Sequence, residues 1–311
     1  MKPDFSIVVP AYNEIESLPS LRAAIDEYIE QAPMSLQFVL VDDGSIDDTF
    51  GVLSTWSLKG ARLKIVKLSK NFGSHAAIRA GIFHADADRV MVYSSDMPEP
   101  LSDATLFYEG LQSGVELVYS VRKDYKGDLG SRIFSKLINR CIDKNYPTEG
   151  LICVAFGAKI KHELNSDIES NSSFFFQLFQ LGFERLGVPV SYNDRVIGVS
   201  KWTFAKKIKL FIDSFVMFSF VPIRAISGMG VVLSAIGVVW ALAIIIARLF
   251  NLLEFEAGWP TLLSILLIGF GVTNLSLGVI AEYLVRTLDA ARGKKTFVTD
   301  CVIVKPGDGA L

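Results

Sequence analysis

From Phe5 to Val121 the chain alternates between short unbroken apolar runs and longer stretches of helical periodicity. Phe5 to Val9, Phe38 to Val41, Leu63 to Leu68, Arg89 to Tyr93 and Leu117 to Val121 are four to six residues each and rich in Val, Ile, Leu and Phe. Runs of that length without polar alternation predict strands buried on both faces, the pattern of a parallel sheet. Between them, Ile15, Leu18, Leu21, Ala24, Ile25 and Ile29 recur at helical spacing after Asn13-Glu14. A second helix carries Val52, Leu53 and Trp56, with Ser45 or Asp47 as its N-cap, and a third is expected over 75–85. Strands and helices alternating in this way predict a mostly parallel, doubly wound α/β sheet.

Past Val121 the pattern is less regular. Ser131 to Ile142 predicts a helix, Leu151 to Phe156 a strand, 172–182 a Phe-rich helix, and Arg185 to Ser191 a further strand of the same domain. From Trp202 the character changes. Phe204, Ile208, Phe211, Ile212, Phe215 and Phe218 share one helical face, with Lys206, Lys207 and Lys209 off it, which suits an amphipathic helix lying in a membrane interface. In isolation the same pattern also fits an ordinary core-facing helix. Ala225 to Ala247 and Trp259 to Ala281 then carry no charged residue, and each matches the ~20 residues that cross ~30 Å of hydrocarbon. The expected domains are 1–200 (catalytic), 201–222 (juxtamembrane helix), 223–286 (two transmembrane helices) and 287–311 (C-terminal tail).

Composition agrees with this division. Half of the 311 residues are hydrophobic and mean hydropathy is +0.38, with the excess concentrated after about residue 211. The loop between the spans holds Glu254 and Glu256. The outer flanks hold Lys201, Lys206, Lys207, Lys209 and Arg224 on one side, and Arg286, Arg292, Lys294 and Lys295 on the other. The positive-inside rule then predicts cytosolic flanks, a cytosolic catalytic domain and both termini in the cytosol. The chain starts on a strand without a signal-peptide pattern, which agrees. Cys141, Cys153 and Cys301 have no metal-ligand spacing and suit reduced thiols. With a net charge of −2 and no basic stripe interleaved with aromatics, nucleic acid is excluded as a partner. The small residues Gly228, Gly230, Ser234, Gly237, Gly269, Gly271 and Gly278 permit close helix packing, so a homo-oligomer is among the expected states.

The chemistry is expected at the carboxyl ends of the strands, where open α/β sheets bind ligands. Four loops should converge there: Pro10-Ala11-Tyr12-Asn13-Glu14, Asp42-Asp43-Gly44-Ser45, Asn71-Phe72-Gly73 and Ser94-Ser95-Asp96. None contains a dinucleotide or P-loop glycine motif. Carboxylates at strand ends suit hydrogen bonding to a base or ribose and binding of a divalent cation that bridges a diphosphate. For Asp42 and Asp43, turn formation and helix capping explain the residues equally well. His75 and His84, alone on a helix, are expected in core or surface roles.

Together these four loops resemble those of family 2 glycosyltransferases of the GT-A fold. Gly198-Val199-Ser200-Lys201-Trp202, Gly258-Trp259-Pro260 and Gly278-Val279-Ile280-Ala281-Glu282-Tyr283-Leu284 narrow the resemblance to the polyisoprenyl-phosphate glycosyltransferases, the group that includes dolichol-phosphate mannose synthase and the bactoprenol glucosyltransferases. The resemblance implies inverting transfer of one sugar from a nucleotide-sugar donor to a polyisoprenyl phosphate. Undecaprenyl phosphate at the cytoplasmic face of a bacterial inner membrane is the default acceptor, with cell-envelope glycan modification as the purpose. It implies nucleotide binding by Pro10, Ala11, Tyr12, Glu14, Asp42, Gly73, Ser94, Ser95 and Asp96, catalysis at Asp96 and Arg122, and acceptor-phosphate binding by Arg122, Arg132, Arg195, Ser200 and Lys201. Mg²⁺ or Mn²⁺ is the implied cofactor, on Asp96 and Glu99.

Two positions depart from the family pattern. Ser94 stands where an Asp-x-Asp metal motif has its first acid, which predicts weakened metal affinity. Ile152-Cys153-Val154 stands where the family places a catalytic Asp. Losing a general base costs about 10²–10⁴-fold with an ordinary hydroxyl acceptor. A phosphate monoester, with a second pKa near ~6, is already largely dianionic at neutral pH. The alternative to an enzyme is a degenerate relative serving as a nucleotide- or lipid-binding membrane scaffold. A processive synthase is disfavoured, because no Gln-x-x-Arg-Trp segment and no further spans are present.

Overall fold

Strands β1 (Phe5–Ala11), β2 (Leu36–Asp42), β3 (Ala61–Leu68) and β4 (Arg89–Val92) run parallel, with β1 between β2 and β4, in a computed structural model of the chain. The structure describes residues 2–96, 100–122, 153–166, 174–190, 258–291 and 295–307, with scattered positions between 228 and 250. Every residue of β2, and all but Pro10 of β1, is buried, which explains the unbroken apolar runs. Helices α1 (Leu18–Gln31), α2 (Thr49–Thr55) and α3 (Ser74–His84) connect these strands, and α4 (Ala104–Gln112) leads into β5 (Leu117–Arg122). Strand β6 (Val154–Phe156), helices α5 (Ala158–Ser166) and α6 (Phe174–Gln180), strand β7 (Arg185–Val190), helix α7 (Trp259–Ala291) and strand β8 (Thr299–Lys305) follow.

The sheet has eight strands in the order β7-β5-β6-β4-β1-β2-β3-β8. It is mixed. β6 runs antiparallel between β4 and β5, and β8 lies antiparallel on β3. β4 and β5 thus point the same way, and their carboxyl ends share one edge with those of β1, β2 and β3.

Alternating residues feed two cores. Phe5, Ile7, Phe38, Leu40, Leu63 and Ile65 meet Leu18, Leu21 and Ile25 of α1 and Phe107 of α4. Val8, Val39, Val41 and Val66 meet Ala77, Ile78 and Ile82 of α3, Ile160 of α5 and Phe174 of α6. Each such side chain contributes about 1.5–3 kcal/mol when fully buried, so two continuous cores fix the strand register.

Several boundaries differ from the sequence reading. α1 starts at Leu18 rather than directly after Asn13: Asn13 holds a left-handed backbone (φ 52°), a turn over residues 15–17 follows, and Pro19 stands in the first turn of the helix, where its missing N–H costs nothing. Ile15 then lies before the helix and is exposed. α2 starts at Thr49, whose N–H donates to Asp47 Oδ1 (3.0 Å), while Ser45 is used elsewhere. Helices α4 and α5 and strand β8 were not anticipated. The expected helix over Ser131 to Ile142 lies outside the described residues.

The chain divides into two units, Met1–Phe211 with Lys294–Leu311, and Ile212–Gly293. In the second, α7 is long and apolar enough to cross a membrane. Its most apolar window, Ile268–Val285, has a hydropathy of 1.5 and is 0% buried. It is the only such helix among the described residues. Most of the first expected span, Ala225 to Ala247, and the amphipathic stretch before it lie outside them.

Candidate active site

Three loops at the carboxyl edge are fastened to one another by side chain to backbone hydrogen bonds. Asp43 is the centre of this arrangement. Its N–H donates to Ala11 O (2.9 Å), its Oδ1 accepts from Phe72 N–H (2.8 Å) and its Oδ2 from Gly73 N–H (2.9 Å). One residue therefore joins the ends of β1, β2 and β3. Asn13 N–H donates to Ser45 Oγ (2.9 Å), Asn13 Oδ1 accepts from Ile46 N–H (2.9 Å), and Glu14 N–H donates to Thr49 Oγ1 (3.0 Å). The Glu14 carboxylate accepts from the Ser17 hydroxyl (2.9 Å).

Glycine is required at one point of this assembly. Gly44 has φ +64°, and a Cβ there would lie 2.3 Å from the Lys70 carbonyl carbon. The β2 and β3 loops touch backbone to backbone at that place.

Electrostatics follow from burial. Asp43 is 3% exposed, and loss of solvent pushes its pKa up to about 6 against the pull of its two N–H donors, with the neighbouring Asp42 charge adding to the rise. Asp42 is fully buried and also raised, chiefly by burial, while the Ser45 N–H lowers it from 3.3 Å to each oxygen. Both acids thus serve the loops. Of the two explanations the sequence left open, turn formation is the one visible for Asp42.

The fourth loop continues the β4 ladder. Tyr93 N–H donates to Val8 O (2.9 Å), Ser95 is buried, and the Ser94 hydroxyl donates to Asp96 Oδ1. The hydroxyl that replaces the expected first acid therefore spends its proton on the remaining one. Arg122 ends β5 on this same edge. Beside it, Ser120 N–H donates to Cys153 O (3.0 Å) and Cys153 N–H to Ser120 Oγ (3.1 Å), which places the segment before β6 at the same edge.

The structure thus brings Pro10, Ala11, Tyr12, Glu14, Asp42, Gly73, Ser94, Ser95, Asp96 and Arg122 to one edge of the sheet. Glu99, Arg132, Arg195, Ser200 and Lys201 lie outside the described residues. Among the described residues no group of three His, Cys, Asp or Glu side chains could hold a metal ion. Sequence reasoning passed over Asp43, Asn13 and Thr49 as functional positions. The pair of acids at the strand end was visible in sequence, but which of them ties β3's loop depends on where the Phe72 and Gly73 N–H groups lie.

His75 and His84 take the expected structural roles. His75 Nδ1 accepts from Phe174 N–H (3.3 Å), and burial, aided by the nearby Arg79 charge, holds its pKa at about 4, so it is neutral at pH 7. His84 Nε2 lies 3.4 Å from Thr299 Oγ1.

The model of the family "Glycosyl transferase family 2" matches residues 6–180, more than half of the chain, and that span contains all four loops. The chain belongs to glycosyl transferase family 2. Among curated relatives, the "Uncharacterized glycosyltransferase YkcC" of Bacillus subtilis is 28% identical over 94% of this chain and 92% of its own. The "Undecaprenyl-phosphate 4-deoxy-4-formamido-L-arabinose transferase" of Edwardsiella ictaluri is 29% identical over 96% of this chain and 94% of its own. The solved mannosyltransferase from Pyrobaculum calidifontis in complex with GDP-Man and Mn²⁺ is 16% identical, over 89% of this chain and 88% of that one, with a TM-score of 0.45. As a family 2 glycosyltransferase the chain is an enzyme with an α/β core.

Proposed function

We propose that this glycosyltransferase moves one sugar from a nucleotide-sugar donor to a polyisoprenyl phosphate, undecaprenyl phosphate in a bacterial inner membrane, with inversion at the anomeric carbon. The observation that carries this reading is the length of the match to undecaprenyl-phosphate transferases. It runs over 96% of this chain, apolar C-terminal part included, and so beyond the sugar-transfer domain alone. The same observation favours an enzyme over a scaffold.

In this reading the loops tied through Asp43 and Asn13 receive the nucleoside, with Pro10, Ala11, Tyr12, Glu14, Asp42 and Gly73 as its contacts, Asp42 also holding the turn. Ser94, Ser95 and Asp96 face the donor diphosphate. Arg122 offsets the repulsion between two phosphate-bearing substrates, and Arg132, Arg195, Ser200 and Lys201 receive the acceptor phosphate near the membrane. A phosphate oxygen of the acceptor forms the new bond to the anomeric carbon from the face opposite the donor. The bond to the donor diphosphate breaks, and its electron pair leaves with the nucleoside diphosphate. No protein base is needed, because the acceptor is largely dianionic at neutral pH.

The donor set fits Mg²⁺ or Mn²⁺ only sparsely. Asp96 is the one described carboxylate of the pair, Glu99 would be the second, and Mg²⁺ commonly takes one or two carboxylates alongside phosphate and water oxygens. Such a cation, when bound, neutralises charge on the departing diphosphate.

α7 and the apolar run Ala225 to Ala247 form two spans in this reading, with the catalytic unit and both termini on the cytosolic side. A reporter placed within 251–258 is expected to be accessible from outside the cytoplasm, and one at the C-terminus is not. Incubating membranes that hold the full chain with a panel of radiolabelled nucleotide sugars and undecaprenyl phosphate tests the activity. Label should enter the organic extract with at least one donor. If the extract stays unlabelled across the panel, the assignment fails.

A further inference from the structure

The edge strand β8 leaves an apolar strip on the face that carries α3. In register with β3, Val302 lies opposite Val66 and Val304 opposite Lys64. Val66 belongs to the core under α3, and Lys64 reaches His84 O and Asp86 beside that helix, so Val302 and Val304 share this face. Val302 is 39% exposed, Val304 61% and Phe83 of α3 54%. Phe83 packs against Phe297 at 6.2 Å between ring centroids, and Val298 beside it is also exposed. Single exposed apolar residues need no explanation, whereas a run of them along one strand and its neighbouring helix marks a contact surface.

We propose that this strip, with Phe83 at its centre, is a membrane-contact surface that seats on an anionic lipid headgroup layer. The proposal rests on the reading above that α7 spans the membrane. Chain continuity argues for lipid as the occupant. α7 ends at Ala291, and the six steps from there to Phe297 cover at most about 21 Å of extended chain. Those few residues include Arg292, Lys294 and an exposed Lys295. Lys and Arg within a Debye length of an anionic leaflet are attracted to it, and apolar side chains such as Phe next to them insert at the boundary between headgroups and acyl chains. The strip therefore follows a basic tether leading directly from a membrane helix. Seating it would hold the catalytic unit close to a lipid substrate whose phosphate cannot leave the interface.

The test replaces Phe83 by the photo-reactive p-benzoylphenylalanine, which keeps an aromatic at the site, with Thr55 of α2, exposed and on the opposite face, as the control position. The full chain is reconstituted in vesicles of phosphatidylethanolamine with phosphatidylglycerol and irradiated. Lipid adducts at 83 and none at 55 are expected. Adducts to a second copy of the chain overturn the proposal and make the strip a protein interface. Absence of any adduct at 83, in a chain that resists alkaline carbonate extraction, overturns it while leaving the spanning helix intact. Release by carbonate overturns the spanning reading and this proposal with it. A second measurement needs no cross-linker. Phe83→Ser with Val302→Ser should raise KM for undecaprenyl phosphate in vesicles roughly tenfold, as expected for losing burial of one aromatic side chain. KM for a short-chain, water-soluble polyisoprenyl phosphate should stay unchanged, and an equal rise for both acceptors contradicts the proposal.

Discussion

The two sides of the sheet edge are built differently. On the side proposed for the donor, the loops after β1, β2 and β3 are cross-tied by Asp43, Asn13, Ser45 and Thr49, and every tie ends on backbone. On the side proposed for the acceptor, the ends of β5 and β6 are joined by the Ser120–Cys153 pair, and Ile152 stands where the family resemblance leads one to expect an acid. One side is acidic and rigidly pre-arranged. The other offers a cation, Arg122, and no acid at the position where a base would stand. In the proposed reading the difference is a division of labour: the protein organises the donor, and the acceptor brings its own nucleophilic charge.

The most damaging single change should fall on the donor side. Asp96→Ala is expected to lower kcat for sugar transfer by about 10²–10³-fold, the scale for removing one preorganised electrostatic group. Circular dichroism should remain that of the wild type. A variant within tenfold of wild type would break the comparison at its strongest point.

Asp43→Asn addresses the rigidity. A carboxyl whose folded pKa is raised from 3.8 to about 6 favours the folded state at low pH, and that contribution is lost as pH rises through 6. About two units at 1.36 kcal/mol each give a loss of about 3 kcal/mol between pH 4 and pH 7. Asn cannot ionise. The stability gap between wild type and Asp43→Asn, from urea unfolding of the full chain in detergent, should therefore shrink by about that amount as pH rises over this range. A pH-independent gap would mean that Asp43 is not the buried carboxyl with a raised pKa described here.

Gly44→Ala should cost about 1–3 kcal/mol, because the new Cβ meets Lys70 backbone that cannot yield and the left-handed φ adds strain. A lower melting temperature and a higher KM for the donor, with KM for the lipid unchanged, are expected. The smallest effect should come from the acceptor side. Ile152→Asp, which restores the family acid, should change kcat less than about tenfold, because the dianionic phosphate has no proton to give up. A gain of 10²-fold would show that a base was missing after all.

The donor side was also the more legible in sequence. Buried parallel strands such as Leu36–Asp42 show as continuous apolar runs, and their acidic ends mark the site edge. The acceptor side offered less. β6 is three residues long, and nothing in Val154-Ala155-Phe156 tells that it runs antiparallel between β4 and β5. α5 buries only Ile160 and Leu164 among nine mostly polar residues, too few for a visible period. β8 belongs to the sheet only by long-range pairing with β3 and follows a charged linker, so it passed for tail. The apolar run from Trp259 was legible as a long helix, but α7 continues ten residues past Ala281, where Glu282, Arg286 and Asp289 enter and the apolar pattern that marked it stops. Asp43 was hidden by its neighbour: the pair of acids was visible, and which of them held the loops depended on backbone positions that only the fold supplies.

In the proposed mechanism the acceptor phosphate attacks as its own dianion, with no protein base to deprotonate it. The pH dependence of kcat/KM with undecaprenyl phosphate and with its phosphonate analogue, whose second pKa is higher, tests it most directly. The acidic limb should follow the acceptor, moving to higher pH with the phosphonate, and should do so equally in Asp43→Asn. A limb that stays in place when the acceptor is changed would assign the titrating group to the protein and contradict the account.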